Sequence, residues 1–385
     1  MQHDVIIVGA GPAGSATAII LANRGHDVLL IDQHKFPRDK VCGDGIPPGS
    51  VQLLNQLGLD EKIRIAGFNQ INAMRVVSPN NMALDFSFTP KGSRTGFYIA
   101  PRREFDYLLQ QQALSSGAKF LTDRVSGVSK HNSKINGILL QSGQDITARV
   151  VVGADGSNSI VSRSLHQNQT NTNSKLIGIR GYISGLETVT GCAEYYFLKE
   201  IFPSYGWIFP TGPTTANIGL GLYISAYQSL DSSLQDLLDK FLQHEHIRER
   251  LAQDHQVVNA KAWFYHLAEI KLKPVAFNGA VLVGDAATLM DPLSGEGIRN
   301  ALHSGIIAGE VIHDALTTND CTLASLQEYE KRCKSEIYRV IRRSLFLRRV
   351  LSSSPARLEW VFRKVQNNKT IMEKLFSSIS SNFKM

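Results

Sequence analysis

Cysteine is scarce in this chain: four in 385 residues (Cys42, Cys192, Cys321, Cys333), with no C-x-x-C pair and no Cys/His ligand spacing. A disulfide framework and a structural zinc site are therefore excluded, and no metal is expected. No apolar run approaches the ~18 residues of a membrane span. The first residues run directly into an apolar strand, without the charged and apolar regions of a secretory signal. The expectation is a cytoplasmic protein. Charged residues are sparse too, 19% against 43% hydrophobic, the balance of a well-packed protein. Internal repeats and low-complexity tracts are absent, and the length suits two domains or one elaborated α/β domain.

The net charge of +7 is concentrated in one place. Lys331 to Val350 holds eight Lys or Arg against the single acid Glu336, which equals the whole excess. The remainder is near neutral, so nucleic-acid binding through the general surface is not expected. The segment mixes arginines with bulky apolar residues and has two readings. One is a solvated helical face; the other is docking on an anionic membrane surface or holding a phosphate headgroup. Ser352 to Pro355 should end its helix.

The opening stretch DVIIVGAGPAGSATAIILANRGHDVLLIDQH reads as strand, glycine turn, helix, strand. Val5 to Val8 has the continuous apolar character of a buried parallel strand. Gly9, Gly11 and Gly14 supply a tight turn, close backbone approach to a pyrophosphate, and close helix–sheet packing. Unpaired N–H groups at the helix start favour phosphate. The second strand, Val28 to Ile31, ends at Asp32, a carboxylate suited to a ribose diol and opposed to a 2′-phosphate, so FAD or NAD is favoured over NADP. Gly9, Gly11, Pro12, Ala13, Gly14, Asp32 and Gln33 are the candidate contacts. A second strand–turn–helix follows at Asn278 to Ile312, with Asp285 after its apolar run. Two such turns nearly three hundred residues apart imply a long cofactor touched at both ends. A flavin, with its ribitol between pyrophosphate and ring, meets that description.

The motifs GAGPAG, GADGSNS, LVGDAA and DPLSGEGI together resemble the FAD-dependent flavoprotein superfamily related to p-hydroxybenzoate hydroxylase. Within it, FPRDKVCGDGI and YGWIFP resemble the geranylgeranyl reductase family, and the likeness covers residues 1 to 315. The resemblance implies that FAD is the cofactor and that Asp285 binds its ribitol. Pro292, Gly295, Glu296 and Gly297 would lie along the isoalloxazine, backbone N–H groups facing its N1/O2 edge and stabilising the reduced ring. Arg102 aligns with a flavin-contacting arginine, with Arg103 as a solvated alternative. In the middle motif Ser162 replaces a common arginine and Arg163 remains, which weakens the case for direct NADPH use. NADPH and a ferredoxin-type protein both stand as electron donors.

On this layout Cys42 to Gly45 lie beside the flavin ring, and Gly43 lets backbone pass close to it. Cys42 has three readings: proton donor, polarisable shape element, or inert buried filler. A thiol with pKa near ~8.5 is mostly protonated at neutral pH, which suits donation. Between Thr170 and His266 the pattern alternates and is rich in aromatics, as in an antiparallel sheet with one covered face. Tyr205, Trp207, Phe209 and Pro210 match the family's YxWxFP, with Phe202 where a proline is usual. Tyr205 and Trp207 should share a face over the substrate cavity, with WFYHL (Trp263 to Leu267) as further wall; plain core is the alternative. Cys42, Tyr205 and Trp207 are the catalytic candidates.

The expected fold is α/β: a Rossmann-type FAD-binding domain, an antiparallel β-sheet substrate domain and a helical C-terminal tail. The FAD-binding domain is expected over 1–75, 98–168 and 268–320. The substrate domain is expected over 76–97 and 169–267, and the basic helical region over 321–385. The expected activity is FAD-dependent reduction of isoprenoid C=C bonds, with a prenyl lipid as the apolar partner. A flavin monooxygenase is the alternative, although CGDG departs from the GES pattern of flavin halogenases. A non-enzymatic, flavin-containing, membrane-associated binding module is the third reading.

Overall fold

The structure is a computed structural model and describes residues 2–87, 96–166, 174–188, 191–351 and 353–366. Parts of the expected substrate domain (88–95, 169–173, 189–190) and of the C-terminal region (352, 367–385) lie outside the described residues.

Apolar runs such as Val5–Val8 and Val28–Ile31 build the first sheet, where both faces are covered. Its strands lie in the order Ala276–Phe277, Ala280–Leu282, Asp145–Gly153, Gln2–Val8, Val28–Asp32, Lys119–Thr122. Four of these five pairings are parallel and the first is antiparallel, and a hairpin of Val125–His131 and Lys134–Leu140 extends the sheet from Asp145–Gly153. Helix α1 (Pro12–Ala22) starts with proline at its first turn and is buried on almost every side. Helix α2 (Arg102–Ser115) follows later in the chain. Small residues let α1 press on the long C-terminal helix of the second turn, where Thr17 Oγ1 donates to Gly305 O at 3.0 Å.

The second sheet runs Leu251–His266, Lys175–Leu186, Thr215–Tyr223, Gly206–Pro210, Cys192–Tyr196, Ala73–Val77, Ala83–Ser87. Five of its pairings are antiparallel, but Cys192–Tyr196 pairs with Ala73–Val77 in parallel. The sheet is otherwise antiparallel, as expected. The two parallel strands come from separate excursions of the chain, so no hairpin fixes their sense. The chain crosses into this sheet between Ile71 and Ala73, ahead of the expected break after residue 75. A short three-stranded sheet (Gly45–Ile46, Asn69–Ile71, Phe97–Ile99) accompanies the crossing.

Strand alternation divides the second sheet's faces. Ile208, Ile218 and Leu220 pack on helix α3 (Leu234–Leu242), whose start carries a Ser233/Asp236 capping box. Trp207 and Phe209 turn the other way. Helix α4 (Ile298–Thr317) completes the first layer. Helix α5 (Leu323–Arg332), a π-helical turn at Cys333–Tyr338, helix α6 (Arg339–Leu351) and helix α7 (Pro355–Gln366) follow. The break before α7 falls at the serine–proline stretch, as its composition predicts. Leu358, Phe362 and Val365 of α7 pack with Leu84 from the second sheet, and Glu359 Oε2 accepts from Asn80 N at 3.3 Å. No helix among the described residues is long and apolar enough to cross a membrane.

Candidate active site

Residues of both sheets enclose a cavity of about 1280 Å³. That exceeds the ~300–1,000 Å³ of a typical small-molecule cleft and leaves room for a cofactor and a second molecule. Of the seventeen residues named as cofactor contacts or catalytic candidates, sixteen line it: among these Gly14 alone does not, being buried behind the turn.

The first glycine turn explains that exception. Gly9 has φ +104°, and a Cβ on Gly14 would stand 1.9 Å from Gly9 O, so α1 closes directly onto the turn. The start of α1 has no side-chain cap and no acid in its first turn, leaving its N–H groups for an anionic group. Asp32 is oriented by backbone: Oδ2 accepts from Ala10 N at 3.0 Å and Oδ1 from His34 N at 2.9 Å. At the other turn Ser157 Oγ donates to Asp285 Oδ2 at 3.3 Å. Lys40 lines the same cavity, and its Nζ has no hydrogen-bond partner among the described residues. It stacks over Trp263 at 4.1 Å and Tyr265 at 5.2 Å. Burial and neighbouring Arg102 push its pKa down to about 8.

Arg102 is buried and Arg103 exposed. Arg102 grips Asp106 through two 2.7 Å bonds, and Arg38 Nη1 adds a third at 2.5 Å. Burial raises the Asp106 carboxyl, but Arg102 and Arg38 outweigh it and hold it below the usual range.

The CGDG loop carries a network that sequence reading missed. Asp44, left-handed at φ +63° and fully buried, accepts from Tyr182 Oη at 2.6 Å, Asn217 Nδ2 at 2.7 Å and Arg102 N at 3.3 Å. Asn217 Nδ2 also donates to Cys42 O at 2.8 Å, while Asn217 Oδ1 accepts from Trp207 Nε1 at 2.8 Å. The cysteine loop and the YGWIFP strand are thus one hydrogen-bonded unit. Asp44 N donates to Cys42 Sγ at 3.3 Å. Burial raises the Cys42 thiol, with Arg102 opposing, so it is held protonated. Burial likewise pushes Asp44 up to about 6 and Glu296 up to about 7. A Cβ on Gly43 would come within 2.8 Å of the Phe209 ring, so the loop lies flat against the aromatic strand.

Tyr205, Trp207 and Phe209 share the cavity face, as their spacing requires. Tyr205 Oη donates to Ser294 O, tying this edge to the Pro292–Gly297 loop. Trp263 and Tyr265 line the cavity while Phe264 between them faces outward. Tyr265 Oη donates to Val41 O at 2.6 Å. Beyond the aromatics the cavity continues as an apolar arm, walled by Met74, Val76, Leu84 and Phe86 and by α6 and α7. In the middle motif Asp155 caps the following helix, accepting from Ile160 N at 2.7 Å.

A two-sheet α/β fold with a long cavity anchored on two glycine turns defines a dinucleotide-dependent oxidoreductase of the flavoprotein class. Comparison with known proteins narrows this. The FAD binding domain family matches residues 2–344. A digeranylgeranylglycerophospholipid reductase from Methanosarcina acetivorans is 31% identical over 341 residues, 86% of this chain and 80% of that one. A menaquinone reductase from Mycolicibacterium smegmatis is 31% identical over 324 residues, 81% of this chain and 76% of that one. The crystal structure of a geranylgeranyl bacteriochlorophyll reductase-like protein from Thermoplasma acidophilum superposes with a TM-score of 0.86 at 27% identity, covering 98% and 96% of the two chains. The chain belongs to the FAD binding domain family and, within that superfamily, to the geranylgeranyl reductases. It is an FAD-dependent oxidoreductase.

Proposed function

We propose that this protein reduces C=C bonds in the isoprenoid chain of a prenyl lipid. The observation that carries the reading is the continuity of the cavity, from the two cofactor turns, past Cys42 and the aromatic strand, into an apolar arm. The uncapped N-terminus of α1 and the buried Lys40 amine, without a hydrogen-bond partner among the described residues, fit a phosphate-bearing cofactor. Gly9, Gly11, Pro12 and Ala13 would hold the pyrophosphate of FAD, Asp32 and Gln33 its adenosine ribose, and Asp285 its ribitol. Cys42, Gly43, Arg102, Pro292, Gly295, Glu296 and Gly297 would line its ring.

Bound and reduced, FAD supplies the hydride for one alkene carbon; the other carbon needs a proton. Cys42 Sγ carries one, because burial keeps the thiol neutral. The Tyr205 hydroxyl is committed to Ser294 O, so Tyr205 positions the loop rather than giving up its proton. Trp207, pinned through Asn217, holds the chain against the ring. The alkene is unactivated, so this positioning supplies much of the catalysis. The electrons come from a reduced pyridine nucleotide or a ferredoxin-type protein, and anaerobic bleaching of the flavin by each would distinguish them. A substrate of this kind resides in a bilayer, so the reading includes contact with a membrane surface. The test is mass spectrometry of prenyl lipids incubated with the reduced enzyme without air. Products heavier by two mass units per bond are expected, and turnover that requires oxygen would overturn the reading in favour of a monooxygenase.

A further inference from the structure

Helices α6 and α7 have two working faces. Inward, Arg348 and Leu351 of α6 and Leu358, Val361, Phe362 and Val365 of α7 line the apolar arm. Outward, both helices carry aromatic side chains in solvent: Phe346 is 67% exposed and Trp360 59%. At about 100° per residue, Arg339, Arg343, Phe346 and Val350 fall within ~40° of the direction opposite Arg348. Trp360 lies ~160° from Leu358, between exposed Arg357, Arg363 and Lys364. Exposed large apolar groups ringed by cations are the surface of an interfacial helix, not of a solvated one.

The charge has a matching distribution. Upstream cations are neutralised locally: Lys331 by Glu328 at 3.3 Å, Arg332 by Glu310 and Glu336 at 2.7 and 2.8 Å, Lys334 by Glu330 at 2.6 Å. The sequence segment that carries the positive excess is therefore shifted downstream. From Arg339 to Gln366 there are eight Arg or Lys and one acid, Glu359, giving 8 − 1 = +7. Glu359 is buried and faces Asn80. Two copies presenting this face would repel, whereas an anionic bilayer complements both its charge and its aromatics.

We infer that the outward faces of α6 and α7 dock on an anionic lipid bilayer, so that the helices walling the apolar arm rest on the membrane that holds the substrate. The access role rests on the prenyl-lipid reading; the docking does not. The FAD-loaded full chain is floated with phosphatidylcholine vesicles, with or without about one-third phosphatidylglycerol. Binding to the anionic vesicles is expected, at least tenfold above that to phosphatidylcholine alone and weakened by added salt. Phe346→Ser with Trp360→Ser, and separately Arg339→Glu with Arg343→Glu, should each reduce it tenfold or more at unchanged flavin content. Both double variants should keep turnover of a detergent-dispersed substrate and lose it tenfold on vesicle-borne substrate. Equal flotation of wild type and variants, no flotation, or self-association abolished by the same substitutions would each overturn docking. A chain that floats but reduces no prenyl lipid would overturn the substrate reading alone.

Discussion

Asp44 gathers donors from three directions: a tyrosine of one strand, an asparagine of the next, and the start of α2. Its folded pKa of about 6 lies above the usual carboxyl value of 3.8, because burial outweighs its hydrogen bonds. The native state therefore holds a proton that the unfolded chain releases between those values. The resulting stability is full below pH 4 and lost as pH rises through 6, by about 3 kcal/mol for a two-unit shift. Asp44→Asn removes this titration. Denaturant melts from pH 4 to 7 should show wild type losing that amount relative to the variant. At Cys42 the prediction concerns chemistry: Cys42→Ala should lower turnover about 10²-fold, the scale of a lost general acid, with FAD content unchanged. Equal turnover would remove the thiol from the mechanism.

Individual elements impose tighter limits. The 1.9 Å approach that a Gly14 side chain would make to Gly9 O cannot be relaxed by a side-chain rotation, since the obstacle is backbone. Gly14→Ala should thus lift α1 from its turn and yield protein purified with little flavin, read from the ratio of visible to ultraviolet absorbance. At the far end, Val361→Trp on α7 should shorten the apolar arm and cut turnover of long prenyl chains more than short ones. These elements differ in how far sequence exposes them. The two strand–turn–helix units were legible because each is local, its glycines and acid lying within a few dozen residues. The Asp44 hub was not, because its partners Tyr182 and Asn217 lie 138 and 173 positions away and neither belongs to a glycine motif. The parallel pairing of Ala73–Val77 with Cys192–Tyr196 was hidden for the same reason. Helix α7 read only as a basic tail, because the leucine that covers its apolar stripe sits in a strand more than 270 residues earlier.

For the whole molecule, the cavity joins segments from near both ends of the described chain, so ligand occupancy and global folding are coupled. Free FAD at a hundred times its dissociation constant should stabilise the apoprotein by about 2.7 kcal/mol, visible as a raised melting temperature. Asp285→Ala should shrink that increment without lowering the melting temperature of the apoprotein. The same geometry has a consequence for biosynthesis. Gly9 emerges from the ribosome early and Gly297 late, yet both border one cavity. A nascent chain stopped before the second glycine turn holds only one end of the binding groove. Yellow colour should therefore appear in arrested translation products only after that turn has cleared the exit tunnel, making pigment itself a clock for completion of the fold.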